Sequence, residues 1–189
     1  MSARTLASVI VDEFGVPNNP RRSVVPKQRV LEWMRADDLE ALGALYSFVM
    51  KGDYADRVQP SLTFNEYWTF VARYFERCLK ENPNGEWAHG RYNAGWDLAS
   101  WFGKLWNDGS VPLDAKTRIK EWLATQYKRG DADVRRCIVD ATLEHLFDNR
   151  EIARFFDDWK KDPDLLIAFQ EAAEWTNKSG RTDLPKKQS

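Results

Sequence analysis

EWAHGRYNAGWDLASWFGKLW, residues 86–106, is the stretch whose reading decides the fold class. At about 100° per residue, Trp87, Ala88, Tyr92, Ala94, Leu98, Ala99, Trp101, Phe102, Leu105 and Trp106 fill well over half of a helical wheel. His89, Asn93, Asp97, Ser100 and Lys104 form one narrow polar strip. A helix this apolar needs neighbours on several sides. The pattern therefore predicts a central post, starting at Trp87 and enclosed by other helices.

Helical periods continue in both directions. Upstream, Leu6, Ala7, Ile10 and Phe14 keep the period over residues 4–14, although the SVIV core also suits a strand. The loop GVPNNPRRS ends that element. Pro26 opens a short helix with Val30, Leu31 and Met34 inward, and Asp37 or Asp38 begins another carrying Leu39, Leu42, Leu45, Tyr46 and Val49. Thr63-Phe64-Asn65-Glu66 is a capping box, in which the Thr hydroxyl accepts a first-turn amide proton and Glu66 reaches back to the Thr amide. Phe64, Tyr67, Trp68, Val71, Tyr74, Phe75, Cys78 and Leu79 follow it to the loop ENPNG.

Downstream, Leu113, Ala115, Ile119, Trp122, Leu123 and Tyr127 mark a helix stopped by Gly130, and Asp131 serves as N-cap of DVRRCIVDATLEHLF. That helix is apolar on two sides, Val134, Cys137, Ile138 and Ala141 on one and Val139, Leu143 and Leu146 on the other, so it too is sandwiched. Asn149 caps a helix with Ile152, Phe155, Phe156 and Trp159 inward, and Pro163 opens a last one through Trp175. The expected fold is all-α: about eight helices in antiparallel pairs, as a short HEAT-like stack or an irregular bundle. One helical domain spans 1–177, with 1–25 a more loosely attached segment and 178–189 a disordered basic tail.

Composition narrows the function classes. The 189 residues carry a net charge of -1 and include nine Trp, ten Phe and six Tyr, bulky material for a core and for an interface. A near-neutral total argues against a surface built to track phosphates, so nucleic acid is not an expected partner. Charge is uneven, however. Residues 144–175 hold nine acids against Arg150, Arg154, Lys160 and Lys161. No apolar run suits a membrane span or a signal peptide, and the chain reads as cytoplasmic. Cys78 and Cys137 stand alone and read as free buried thiols.

Candidates for chemistry are few. His89 shares a helix face with Glu86 but lacks the further ligands or nucleophile that a metal or catalytic site needs, and it reads as a surface histidine. His145 falls with Ile138 and Ala141 and reads as an interior, hydrogen-bonded one. Arg91 projects into the apolar arc between Leu98 and Phe102, so it needs a carboxylate, with Glu144 or Asp97 in reach: a buried ion pair, or else a ligand site. No P-loop, dinucleotide fingerprint, zinc motif or nucleophile elbow occurs, so no catalytic residue, metal or cofactor is assigned. Asp157, Asp158, Asp162 and Asp164 crowd the turn between the last two helices, and Glu151 adds to the acidic surface of those helices. Like charges so placed favour a positive partner.

At WDLASWFGKLW, DVRRCIVDATLEHLFDN and FFDDWKKDPDLLIAFQEAAEW, within residues 97–175, the chain resembles small all-helical, HEAT-like bacterial proteins of unknown function, some of them held to be immunity partners of secreted toxins. Leu143-Glu144, and Phe156 and Trp159 before Asp162-Pro163, carry the likeness. These are packing residues, so the resemblance implies a fold and an immunity-like inhibitor and transfers no catalytic site. The resulting expectation is a non-enzymatic protein-binding module that meets a basic partner through Glu151, Asp157, Asp158, Asp162 and Asp164. The alternatives are a HEAT-like nucleic-acid enzyme of the DNA-glycosylase type and a small-ligand sensor with a pocket beside Arg91 and Trp96.

Overall fold

The computed structural model describes residues 4–16, 19–20, 24–50 and 55–178. Among them run nine helices and almost no strand, so the fold is all-α. They are α1 Leu6–Phe14, α2 Lys27–Met34, α3 Leu39–Val49, α4 Phe64–Glu81, α5 Arg91–Asn107, α6 Leu113–Arg129, α7 over 132–147, α8 Arg150–Phe155 and α9 Pro163–Lys178. α9 thus extends over Asn177 and Lys178, and the tail expected to be disordered otherwise lies outside the described residues. None of the described helices is long and apolar enough to cross a membrane. Where the sequence suggests one domain over 1–177, contacts gather into two compact units, Met1–Gly90 and Arg91–Ser189.

In the first unit the enclosed element is α3. Asp38 caps it through the amides of Glu40 and Ala41, and nine of its residues are buried, Leu39, Ala41, Leu42, Gly43, Ala44, Leu45, Tyr46, Phe48 and Val49. α1, α2 and α4 pack around it. Ala7, Ile10 and Phe14 of α1 are buried, with the Phe14 ring stacked on Phe48 at 5.3 Å. In α2 the inward residues are Val30, Trp33 and Met34, so Trp33 takes the place expected of Leu31. The Thr63 capping box opens α4 as its sequence requires, and Asn82 ends it at φ 46. Two-residue bridges pair Gly15–Val16 with Asn19–Pro20, antiparallel, and Val25–Pro26 with Val58–Gln59, parallel.

The expected start of the central helix is corrected here. Residues 84–90 are bends and coil, and α5 begins only at Arg91. Side chains from α3 and α4 hold this stretch by its backbone. The Glu40 carboxylate accepts the amide protons of Trp87 at 2.9 Å and Ala88 at 3.0 Å, and the Tyr74 hydroxyl accepts that of His89 at 3.0 Å. Gly43 permits the approach, because a Cβ there would lie 2.4 Å from the Trp87 carbonyl oxygen. Amides fixed by tertiary acceptors keep the chain in bends where an isolated peptide would extend the helix.

In the second unit the enclosed helix is α7, in contact with α5, α6, α8 and α9. Both of its predicted apolar sides are buried: Val134, Cys137, Ile138 and Ala141, then Val139, Leu143 and Leu146. α5 is not the post that its composition predicts. It buries one stripe, Ala94, Gly95, Leu98, Ala99 and Phe102, while Trp101, Leu105 and Trp106 are half-buried and Tyr92 and Trp96 exposed. Small residues make the contact because helix axes approach closely only where side chains are short. A Cβ on Gly95 would lie 2.7 Å from the Ala141 Cβ, and the Gly95 carbonyl accepts the Thr142 hydroxyl at 3.1 Å.

Candidate functional site

The acids expected to face a partner come first. Glu151 and Asp164 are exposed in the first turns of α8 and α9, where a negative charge suits the helix dipole. Asp157 accepts from Lys160 at 2.5 Å. Asp158 pairs at 2.7 Å with Lys120, which is 8% exposed, also donates to the Phe155 carbonyl at 3.1 Å and sits 4.4 Å from the Phe155 ring centroid. Asp162 pairs with Lys128 and caps α9 through the amides of Asp164 at 3.1 Å and Leu165 at 3.3 Å; the Lys128 ammonium holds its carboxyl below the ordinary range. The positive charge that this turn calls for thus comes from its own unit. Lys120 and Lys128 are distant in sequence, and Lys120 lies on the inward face of α6, where no lysine is expected.

Arg91 forms an ion pair with a carboxylate that sequence reading did not name. Its guanidinium, 11% exposed, meets Asp133 at 3.2 Å. Asp133 stands in the first turn of α7, and α7 packs against α5. The expected pocket beside Arg91 and Trp96 resolves into a cavity of about 470 Å³ between α5 and α7, lined by Trp96, Ala99, Ser100 and His145 and not by Arg91.

His145 is corrected as well: it is exposed. Ile138–Leu143 forms a wide π turn in which the Glu144 amide bonds the Val139 carbonyl. Such a turn takes in about one extra residue, so everything after it lags the α-helical phase. Leu146 and Phe147 become the buried residues, and His145 turns outward. His89 is half-buried, its ring edge-on to Tyr46 at 5.5 Å. Both cysteines are free and buried, and burial pushes each thiol up to about 12. Among the described residues no group of His, Cys, Asp and Glu is placed to hold a metal ion.

The π turn also shapes a surface that sequence reading passed over. On the outer side of α7 stand Arg136, Asp140, Glu144 and Asp148, four residues apart. Asp140 accepts from Arg136 at 3.3 Å and from the Tyr92 hydroxyl at 3.4 Å. Glu144, half-buried, has the opposite surroundings to Asp158. Burial, then the Asp140 and Asp148 charges, push its carboxyl up to about 7, and no cation of the described residues contacts it. It opens, with Asp140, Arg136, Tyr127 and Glu171, onto a cavity of about 480 Å³. Across the ridge, Tyr92 and Trp96 are 40% and 49% exposed, with ring centroids 6.3 Å apart. The four-residue spacing of the carboxylates along DATLEHLFD was legible in the sequence; the half-burial of Glu144 among them was not.

Fold and surface together define an all-α chain with an acidic helix ridge beside exposed aromatic rings. No protein-family model matches the chain, and no curated protein or solved structure does.

Proposed function

We propose that this chain is a non-enzymatic protein-binding module for a basic partner, and that the α7 ridge with Tyr92 and Trp96 is its contact surface. The observation that carries the reading is Glu144: a half-buried carboxyl that burial and the Asp140 and Asp148 charges push up, on the helix whose Asp140 accepts from the exposed Tyr92 hydroxyl at 3.4 Å. A carboxylate so placed is destabilising in the isolated protein and becomes favourable when a cation arrives. Exposed Trp and Tyr supply the apolar contact that such interfaces concentrate at their centres. The acids of the α8–α9 turn do not support the same role, since Asp157, Asp158 and Asp162 already have lysine partners. Inhibition by covering a toxin surface, which the resemblance implies, is one form that this binding takes.

The test is recovery of bound protein from a lysate of the source organism, with the wild-type chain against Glu144→Lys and Asp157→Lys. One stoichiometric basic protein, released as salt rises, lost with Glu144→Lys and kept with Asp157→Lys, is the expected outcome. Nucleic acid recovered alone would replace the reading with a helical nucleic-acid-binding one. Equal recovery by all three chains would remove the ridge from it.

A further inference from the structure

The groove between α2 and α4 is built differently from the acidic ridge, and it lies wholly within the first unit. The two helices run the same way along it. Lys27, in the first turn of α2, pairs at 2.8 Å with Glu66 in the first turn of α4, and seven residues further along each helix Arg73 donates to the Met34 carbonyl at 3.1 Å. Seven residues of helix measure about 10 Å, roughly the length of an extended eight-carbon acid. Between those two ties lies a cavity of about 330 Å³ with Leu31, Met34 and Phe70 on its walls. Arg35 and Arg73 border it at one end and Glu66 at the other.

Charge differs between the two ends. Glu66 is matched, since besides Lys27 it accepts from the Thr63 amide at 2.7 Å. At the other end the guanidinium groups outnumber their carboxylates. Arg77 pairs with Glu81 at 2.6 Å, while Arg73 reaches Asp37 only at 3.5 Å, and Asp37 is 96% exposed and shared with Arg77. Arg35 is exposed and has no partner among the described residues. We infer that this groove binds a small monocarboxylic acid with an apolar chain, its carboxylate on Arg35 and Arg73 and its chain along Leu31, Met34 and Phe70. A guanidinium presents paired N–H donors that match a carboxylate. The Met34 carbonyl already holds Arg73, so this side chain has little freedom left to lose on binding. The volume lies at the small end of the roughly 300–1,000 Å³ of small-molecule sites, which suits a short chain. A cation meets repulsion from the arginines, and inorganic phosphate leaves the apolar walls unused.

The probe is octanoate, titrated by calorimetry into the full chain, with octylamine, acetate and an acetylated tetrapeptide ending in leucine as companions. A ligand of about ten non-hydrogen atoms in such a site should bind with a Kd of about 1 mM or below. Arg35→Gln should weaken octanoate binding by about tenfold and Leu31→Asn by about threefold, each variant checked by circular dichroism for an unchanged fold. Because Arg35 makes no internal contact that its replacement would break, weakened binding by that variant reports on the site and not on folding. Absence of octanoate binding at about ten times the expected Kd overturns the inference. Equal binding of octylamine, or indifference to Arg35→Gln, overturns it as well. Acetate bound as tightly as octanoate removes the apolar chain from the ligand and overturns it. A leucine peptide bound much more tightly than octanoate, and dependent on Arg35, makes the occupant the end of a protein chain and overturns the free acid.

Discussion

Two stretches of the second unit are about equally rich in carboxylates, and they carry opposite electrostatics. In the α8–α9 turn, Asp157, Asp158 and Asp162 each meet a lysine, two of which come from α6. Along and just past α7, Asp140, Glu144 and Asp148 follow one another at four-residue spacing, and burial with the charges of the other two pushes the Glu144 carboxyl up. Density of acids along a sequence therefore says little about the field that a partner meets. The field depends on whether the fold brings cations to them, and that is decided by the packing of α6.

The comparison can be broken most strongly at Lys120. Its ammonium is buried, bridging Asp158 and the Phe155 carbonyl over the Phe155 ring, so Lys120→Ala removes an ion pair and a carbonyl's partner together. Asp158 is more than half exposed and stays hydrated, which keeps the loss below that of a fully buried pair, at about 1–3 kcal/mol by denaturant unfolding. Asp162→Ala comes next. It removes the cap of α9 and the contact with Lys128, and should lower the melting temperature less than Lys120→Ala does.

Glu144→Gln is the smallest change and sharpens the contrast, because its sign is reversed. Burial and the neighbouring acids push the folded carboxyl up to about 7 from its ordinary value of 4.5, so between those pH values the folded chain holds a proton that the unfolded chain has released. Stability contributed by the protonated group is complete below about 4.5 and falls as pH rises to about 7. The denaturation midpoint of Glu144→Gln should be flatter across that window and higher than wild type above it. A wild-type midpoint that rises over the same interval, with no difference in the variant, would remove Glu144 from the account.

Much of the fold was legible before any coordinates. Thr63 and Glu66, Asp38, Gly130 with Asp131, and Asn149 mark helix ends through local bonds between neighbouring residues, and the structure places helix boundaries at each. The two apolar sides of α7 were legible for the same reason, since both follow from periodicity alone. The reading of α5 failed on residue size. Bulky side chains dominate a hydrophobicity count, yet the contact runs through Ala94, Gly95 and Ala99, and the tryptophans lie at its margins.

The sequence by itself determined the helical class, most helix ends and the supply of acids and aromatic rings, because these depend on interactions within a few residues of chain. Tertiary structure alone decided where α5 starts, through Glu40 and Tyr74 binding the amides of residues 87–89. It also decided that Arg91 meets Asp133, that a π turn rotates His145 into solvent, and that Glu144 lacks the lysine given to Asp158. Each of these depends on groups distant in sequence, or on a change of helical phase, and no local period records either.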